Sequence, residues 1–192
     1  PGHECRKKGD EGCAAESPLA QNKYHGIFAS GGCAAAHTSN LAPALIALKA
    51  QVECVHPDGN RTMDAELLYD GGDLALRPGE LIRAVKLAPS PMGRNSVYLE
   101  VRERQSFDFA IAAVAAAAHV EGGKVKEIRI VAGGVAPTPY RLRAVENALT
   151  GKKLDPNAAE FAAEGAKPLA QNAFKVPILK QLVRRALKEL AQ

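Results

Sequence analysis

The chain has 192 residues, enough for one large or two small domains. Its apolar fraction of 46% suffices for a real core, and a net charge of +4 spread over intermingled Lys, Arg, Asp and Glu leaves no basic stripe interleaved with aromatics. Nucleic acid is therefore not expected as a partner. No apolar run approaches the ~18–20 residues of a membrane span, so no span is expected. The chain opens on Pro1 with no signal-like apolar region, and it is expected to be part of something longer.

Residues 1–37 read mostly as loop. Six glycines (Gly2, Gly9, Gly12, Gly26, Gly31, Gly32) permit positive φ and close backbone approach. Tyr24, Ile27 and Phe28 form its one apolar knot and are expected to pin it to the body. So long a loop, so poor in apolar residues, is expected to need a partner chain, a crosslink or a metal centre. Three of the four cysteines lie here, with seven residues between Cys5 and Cys13 and nineteen between Cys13 and Cys33. Three readings stay open: free thiols, a disulfide or zinc site, and an iron–sulfur site. Iron–sulfur clusters take four ligands as a rule, so Cys54 would have to reach back or the fourth ligand would precede Pro1. The second is preferred, because Cys54 reads as an inward residue of a strand.

Thr38-Ser39-Asn40 supplies three helix-capping candidates, and Pro43 suits a first turn. Leu41, Leu45 and Leu48 then share a helical face, with the helix ending near Lys49. Its N-terminus would turn free N–H groups toward the cysteine loop, where an anionic cofactor could sit. Val52–His56 and Arg61–Met63 are strands about the Pro57-Asp58-Gly59-Asn60 turn. A short helical or irregular stretch, Asp64–Tyr69, leads to the Gly71-Gly72-Asp73 loop and a brief extended piece at Leu74–Leu76. Leu81–Leu87 alternates as a strand, and the Pro89–Gly93 break is taken as a domain boundary. Val97–Arg102 is a strand. The alanine-rich run after Phe107 has helical propensity, but the Glu121-Gly122-Gly123-Lys124 turn makes 109–132 a hairpin whose small residues permit close packing. Helices are expected at Tyr140–Leu149, Asn157–Gly165 and Pro177–Leu190, the last amphipathic, and the whole second unit is α+β. None of the five histidines has a spacing such as H-E-x-x-H.

Several of these stretches together resemble one family. The run from Ile128 to Gly151 (Ile-Arg-Ile-Val-Ala-Gly-Gly-Val-Ala-Pro-Thr-Pro-Tyr-Arg-Leu-Arg-Ala-Val-Glu-Asn-Ala-Leu-Thr-Gly) is similar to the C-terminal domain of the flavoprotein subunits of molybdenum hydroxylases. That family includes xanthine dehydrogenase, aldehyde oxidoreductase and carbon monoxide dehydrogenase. Arg102–Ala110 resembles the segment that opens the domain, and Asn172–Leu187 resembles its close. Residues 38–88, with Leu41-Ala-Pro-Ala-Leu-Ile-Ala-Leu, Gly59-Asn-Arg and Leu76-Arg-Pro-Gly-Glu-Leu, resemble the second half of the family's FAD-binding domain. The cysteine loop looks like an insert of periplasmic-type aldehyde oxidoreductases, with a comparable one in 4-hydroxybenzoyl-CoA reductase.

The resemblance implies an α+β chain in three parts. Residues 1–37 would be an iron–sulfur loop. Residues 38–93 would be the C-terminal half of a PCMH/vanillyl-alcohol-oxidase-type FAD domain. Residues 94–192 would be a CO-dehydrogenase-flavoprotein-like domain of three antiparallel strands plus helices. It implies FAD at His37, Ser39, Asn40, Leu41, Ile82 and Glu100, and a [4Fe–4S] cluster on Cys5, Cys13 and Cys33, either of which could be incomplete in this stretch. Two positions depart from the family: Asn40 stands where an acidic residue is usual, and Glu100 where a Lys is frequent. The implied partners are a molybdopterin-binding large subunit, a [2Fe–2S] small subunit and the upstream segment of the chain's own FAD domain, which carries the Gly-rich pyrophosphate loop. The implied role is electron transfer to an external acceptor, with no residue acting as general acid or base. The rival is a non-enzymatic assembly module built on zinc or a disulfide. Compartment stays open between periplasm and cytoplasm, since a partner could carry the export signal.

Overall fold

The structure, a computed structural model, describes residues 4–29, 32–70, 73–104 and 108–192. The expected Gly71-Gly72 loop, Gly2, Gly31, His3 and Phe107 lie outside the described residues. In chain order come 3₁₀ turns at Arg6–Lys8 and Ala14–Glu16, helix α1 (Leu41–Ala47), strands β1 (Gln51–Val55) and β2 (Arg61–Asp64), and a 3₁₀ turn at Ala65–Leu68. Strands β3 (Tyr69–Asp70), β4 (Asp73–Leu74) and β5 (Leu81–Lys86) follow, then helix α2 (Pro91–Arg94) and strands β6 (Ser96–Val101), β7 (Ala112–Glu121), β8 (Lys124–Gly133) and β9 (Tyr140–Arg141). Helix α3 (Arg143–Leu149), a 3₁₀ helix (Pro156–Ala163) and helix α4 (Lys175–Leu190) complete the chain.

The central element is the antiparallel β7–β8 hairpin, inside a sheet ordered β6-β7-β8-β9. Ala112, Val114, Ala116 and Ala118 face one core, which they share with Leu179, Leu182, Val183, Ala186 and Leu187 of α4. Ala115, Ala117 and Val131 face a second core with Ile46 and Ala47 of α1, Val52 and Cys54 of β1, and Met92 of α2. Both faces are thus buried, so β7 reads as a continuous apolar run rather than an alternating one. Methyl side chains let helices approach both faces, and packing overrides alanine's helical propensity. The expected hairpin is present, and Cys54 points inward as expected. The three expected strands gain a fourth, β9, which pairs with β8 through Val131 and Ala132.

Three expected helices change their bounds. The one from Tyr140 starts at Arg143, because Tyr140 and Arg141 join the sheet. The Asn157 segment is 3₁₀, opened by the Asp155 carboxylate accepting from the Asn157 N–H at 2.9 Å. The last helix begins at Lys175, with Pro177 in its first turn, where its missing N–H breaks no bond. In α1 the buried residues are Ala42, Pro43, Ile46 and Ala47, not the expected Leu41, Leu45 and Leu48 face; Leu41 is 66% exposed. Pro43 seats where Gly133 lacks a side chain: a Cβ there would lie 3.1 Å from its Cγ. The helix therefore rolls its small residues toward the alanine sheet.

The N-terminal loop is held largely by borrowed hydrogen bonds. The Ile27 and Phe28 amides both donate to Val135 O at 2.7 and 3.0 Å, His37 N donates to Ala136 O at 2.7 Å, and Lys167 N donates to Ile27 O at 2.7 Å. Buried Asn22 accepts from Gln171 N at 2.8 Å, and buried Asn172 donates to the carbonyls of His25 and Gly26. Ile27 and Phe28 enter the core, with Phe28 stacked on Tyr140 at 4.2 Å, whereas Tyr24 is exposed. Across residues 22–29 and 32–37 hydrogen bonds to the body of the same chain supply part of the order expected from a partner, crosslink or metal.

Gly26 marks the closest approach. A Cβ at Gly26 would lie 2.9 Å from both Ala35 O and Val135 O. Gly26→Ala is expected to destabilise the chain by about 1–3 kcal/mol in urea unfolding. At the β5 turn the Arg61 guanidinium holds the Glu80 carboxyl down at about 2. The stability from this pair is complete above the ordinary value of 4.5 and is lost as pH falls toward about 2. Glu80→Gln is expected to flatten that acid limb in urea titrations taken between about pH 5 and about pH 2.5.

Candidate cofactor site at the joint between the two sheets

Strand β6 carries Tyr98 and Glu100 at alternate positions, so the two share one face, and Arg102 follows just past its end. Asn40, at the entrance to α1, donates from Nδ2 to Glu100 Oε2 at 3.0 Å. Tyr98 donates its hydroxyl to the same oxygen at 3.2 Å, and Arg102 pairs with the other. One carboxylate thus gathers an amide, a phenol and a guanidinium from both halves of the chain. Burial, reinforced by Glu100, pushes the Tyr98 phenol above its ordinary value, so it stays a donor throughout the neutral range.

A cavity of about 330 Å³ adjoins this network, lined by Thr38, Asn40, Arg102, Asp108 and Phe109. Phe109 is 69% exposed, an aromatic face open to a planar ring. Ser39 accepts from the Ala42 N–H at 3.1 Å and so caps α1, which leaves the Asn40 side chain free to turn to Glu100. His37 turns inward against Tyr69, edge to face at 5.2 Å. Burial lowers its pKa, which keeps the ring neutral, and its Nδ1 is buried without a hydrogen-bond partner among the described residues. Ile82 lies on β5, opposite Cys54 of β1, and Leu41 is exposed; neither lines the cavity.

Of the expected cofactor contacts, the structure therefore brings together Asn40 and Glu100, places Ser39 beside them as a cap, and leaves His37, Leu41 and Ile82 apart. Tyr98, Arg102, Asp108 and Phe109 were not singled out for the site from the sequence. The i, i+2, i+4 spacing of Tyr98, Glu100 and Arg102 along the expected strand was the available signal.

The three loop cysteines are half-buried free thiols. Arg6 bridges their segments, bonding Glu16 at 2.5 and 2.7 Å and Gly32 O at 3.1 Å. Lys7 pairs with Asp73 at 2.7 Å and lies within electrostatic reach of Cys5 and Cys33, as Arg6 does of Cys13. Among the described residues no three His, Cys, Asp or Glu side chains stand together so as to hold a metal ion.

Two successive stretches match known domains: residues 27–90 the FAD binding domain in molybdopterin dehydrogenase, and residues 97–190 the CO dehydrogenase flavoprotein C-terminal domain. The chain belongs to the family of FAD-binding medium subunits of molybdenum hydroxylases. It is 36% identical over 186 residues to the aldehyde oxidoreductase FAD-binding subunit of Escherichia coli (strain K12), covering 93% of this chain and 56% of that protein. It is 30% identical to the carbon monoxide dehydrogenase medium chain of Hydrogenophaga pseudoflava, covering 82% of this chain and 58% of that one. Quinoline 2-oxidoreductase from Pseudomonas putida 86 shares the fold, with a TM-score of 0.69 at 20% identity over 88% of this chain and 59% of the other. The chain thus spans a little over half the length of the curated relatives it matches.

The residues present suit part of an FAD site. About 330 Å³ is near the lower limit for small-molecule pockets, roughly 300–1,000 Å³, and takes one ring system rather than a dinucleotide. The donors Asn40 and Arg102 suit ring or phosphate oxygens, and Phe109 suits a ring face. Replacing Glu100 with Gln is expected to shift the Tyr98 phenol titration to lower pH, followed by ultraviolet absorbance, while burial keeps it above the ordinary tyrosine value.

Proposed function

We propose that this chain is the flavin-side portion of an electron-transfer subunit in a molybdenum-dependent oxidoreductase of the aldehyde oxidoreductase and xanthine dehydrogenase type. A molybdopterin-binding large subunit would oxidise the substrate, a [2Fe–2S] small subunit would pass electrons on, and this subunit would deliver them to an external acceptor. FAD, when bound, supplies the exchange between paired and single electrons. The carrying observation is the Asn40–Glu100 bond, which joins the two matched domains beside one cavity.

The chain's own residues bind and orient rather than transfer protons. Glu100 fixes the Asn40 amide, the Tyr98 hydroxyl and the Arg102 guanidinium in one arrangement, and Phe109 offers a hydrophobic face at its rim. His37, neutral and turned into the body, serves as packing beside Tyr69. Ile82 and Leu41 would meet the flavin only with the upstream segment in place.

Cys5, Cys13 and Cys33 are proposed as three ligands of a [4Fe–4S] cluster whose fourth ligand lies upstream. Three unpaired, half-exposed thiols suit the donor chemistry, and Arg6 and Lys7 offset the negative charge of such a centre. In this scheme residues 1–37, 38–93 and 94–192 are the cluster loop, the second part of the FAD domain and the C-terminal domain.

The test is absorbance spectroscopy with flavin, iron, sulfide and zinc analysis, on this chain and on one extended upstream through the relatives' full length. Flavin in the extended chain, with about four irons per chain, is the expected result. Stoichiometric zinc, or neither flavin nor iron in the extended chain, would overturn the proposal in favour of an assembly module.

A further inference from the structure

Lys175 is the largest fully buried side chain of the molecule among the described residues, with 1% of its surface exposed. No carboxylate pairs with it among the described residues, and burial draws its pKa down to about 8. Its Nζ donates to Tyr24 O at 2.9 Å and to Gly134 O at 2.8 Å. A buried amine without a counterion is unfavourable unless its donors are satisfied. Here two of them are satisfied by carbonyls from segments 110 residues apart in the chain (134 − 24).

Those two segments lead to the two candidate centres. Tyr24 opens the run through Ile27 and Phe28 to Cys33. Gly134 lies between Gly133, against which Pro43 of α1 seats, and Val135, which receives the amides of Ile27 and Phe28. Gly134 N donates to His37 O at 3.1 Å, three residues before Asn40. The peptide stretch Gly133–Ala136 therefore touches the thiol segment on one side and the entrance to α1 on the other. It also admits no side chain at Gly134, where φ is +73° and a Cβ would lie 2.9 Å from Ala110 O.

We infer that Lys175 is a positioning residue that clamps the thiol-bearing segment and the cofactor-side entrance of α1 to one common stretch, Gly133–Ala136, and so sets their separation. The functional half of this inference rests on the flavin role proposed above; the structural half does not. The clamp reaches from the first turn of α4, so the C-terminal helix governs a geometry formed far from it in sequence.

The test is backbone amide exchange on this chain as wild type, Lys175→Met and Lys175→Arg, with Leu179→Ala as a control on the same helix face. Met keeps an apolar stem of similar length and removes the donors. Losing a charged donor from two carbonyls is expected to speed exchange at Gly26, Ile27, Phe28 and His37 by about tenfold or more. The β7–β8 amides should stay at wild-type rates, and Lys175→Arg should restore most of the protection. Leu179→Ala, a cavity change one turn along the helix that leaves the Lys175 bonds to both carbonyls in place, should lower overall stability without singling out residues 22–37. Equal acceleration everywhere in Lys175→Met, or the same loop pattern in Leu179→Ala, would overturn the inference, as would unchanged exchange. In the chain extended upstream, Lys175→Met is expected to loosen flavin retention on dialysis several-fold. Flavin retained as in wild type would overturn the functional half. If the wild-type extended chain holds no flavin, the proposed function fails while the exchange pattern still decides the clamp.

Discussion

The structure depends on a β-hairpin that must be buried on both faces. Strands β7 and β8 separate the two cores, one built with α4 and the other with α1 and β1. Strand β8 still alternates up to Ile130, with Lys124 and Lys126 exposed, but along Ala112–Ala118 strand β7 has no solvent side, so polar alternation is excluded there. It also has little room, because a helix packs against each face, and runs of alanine with few branched residues meet that demand. Large residues on the hairpin would force one helix away. Small ones draw Pro43 of α1 against Gly133, which sets Ser39 and Asn40 at the end of the sheet.

Once α1 is seated there, the polar chemistry of the joint follows. Asn40 comes within reach of Glu100, which also gathers Tyr98 and Arg102. A second charged cluster braces the same joint at the far side. Glu66, from the turn after β2, pairs with Arg141 and Arg143, and Arg141 in turn holds Glu146, whose Oε1 also accepts the Ile130 amide. Glu146 and Arg141 are largely buried, so this network resists breakage at either member more than an exposed pair would. Sheet, helix and ion network act together to hold the two matched domains in one relation.

The N-terminal segment solves a different problem. It lacks the apolar residues to build a core of its own, yet its second half is well tied down. The solution is polar: buried Asn172 and Lys175 donate to backbone carbonyls of the segment, buried Asn22 accepts from the Gln171 amide, and backbone amides reach the Val135 and Ala136 carbonyls. Satisfying so many buried backbone groups at once removes most of the loop's freedom without hydrophobic burial. The Arg6 and Lys7 side chains extend that order to the earlier half, linking Glu16, Gly32 and Asp73.

Local chemistry in the sequence was enough for the turns at Pro57–Asn60 and Glu121–Lys124, for the strands beside them, for the 3.6-residue apolar period of α4 and for the membership of the family, because each of these is written in neighbouring residues. It was also enough to place Cys54 inward and to doubt the helical propensity of the alanine run. Pairings across long separations were not legible. Asn40 and Glu100 are 60 residues apart, and Lys175 and Tyr24 are 151 apart. Nothing in the local pattern marks Lys175 as buried, since a lysine opening an amphipathic helix is ordinarily solvated. Nor does it show that Leu41 faces outward, because a helix's own period gives two adjacent faces and the sheet chooses between them by size. Tertiary packing made those choices: the steric demand of an alanine sheet buried on both sides turned α1, and the need to satisfy buried carbonyls drew the lysine in.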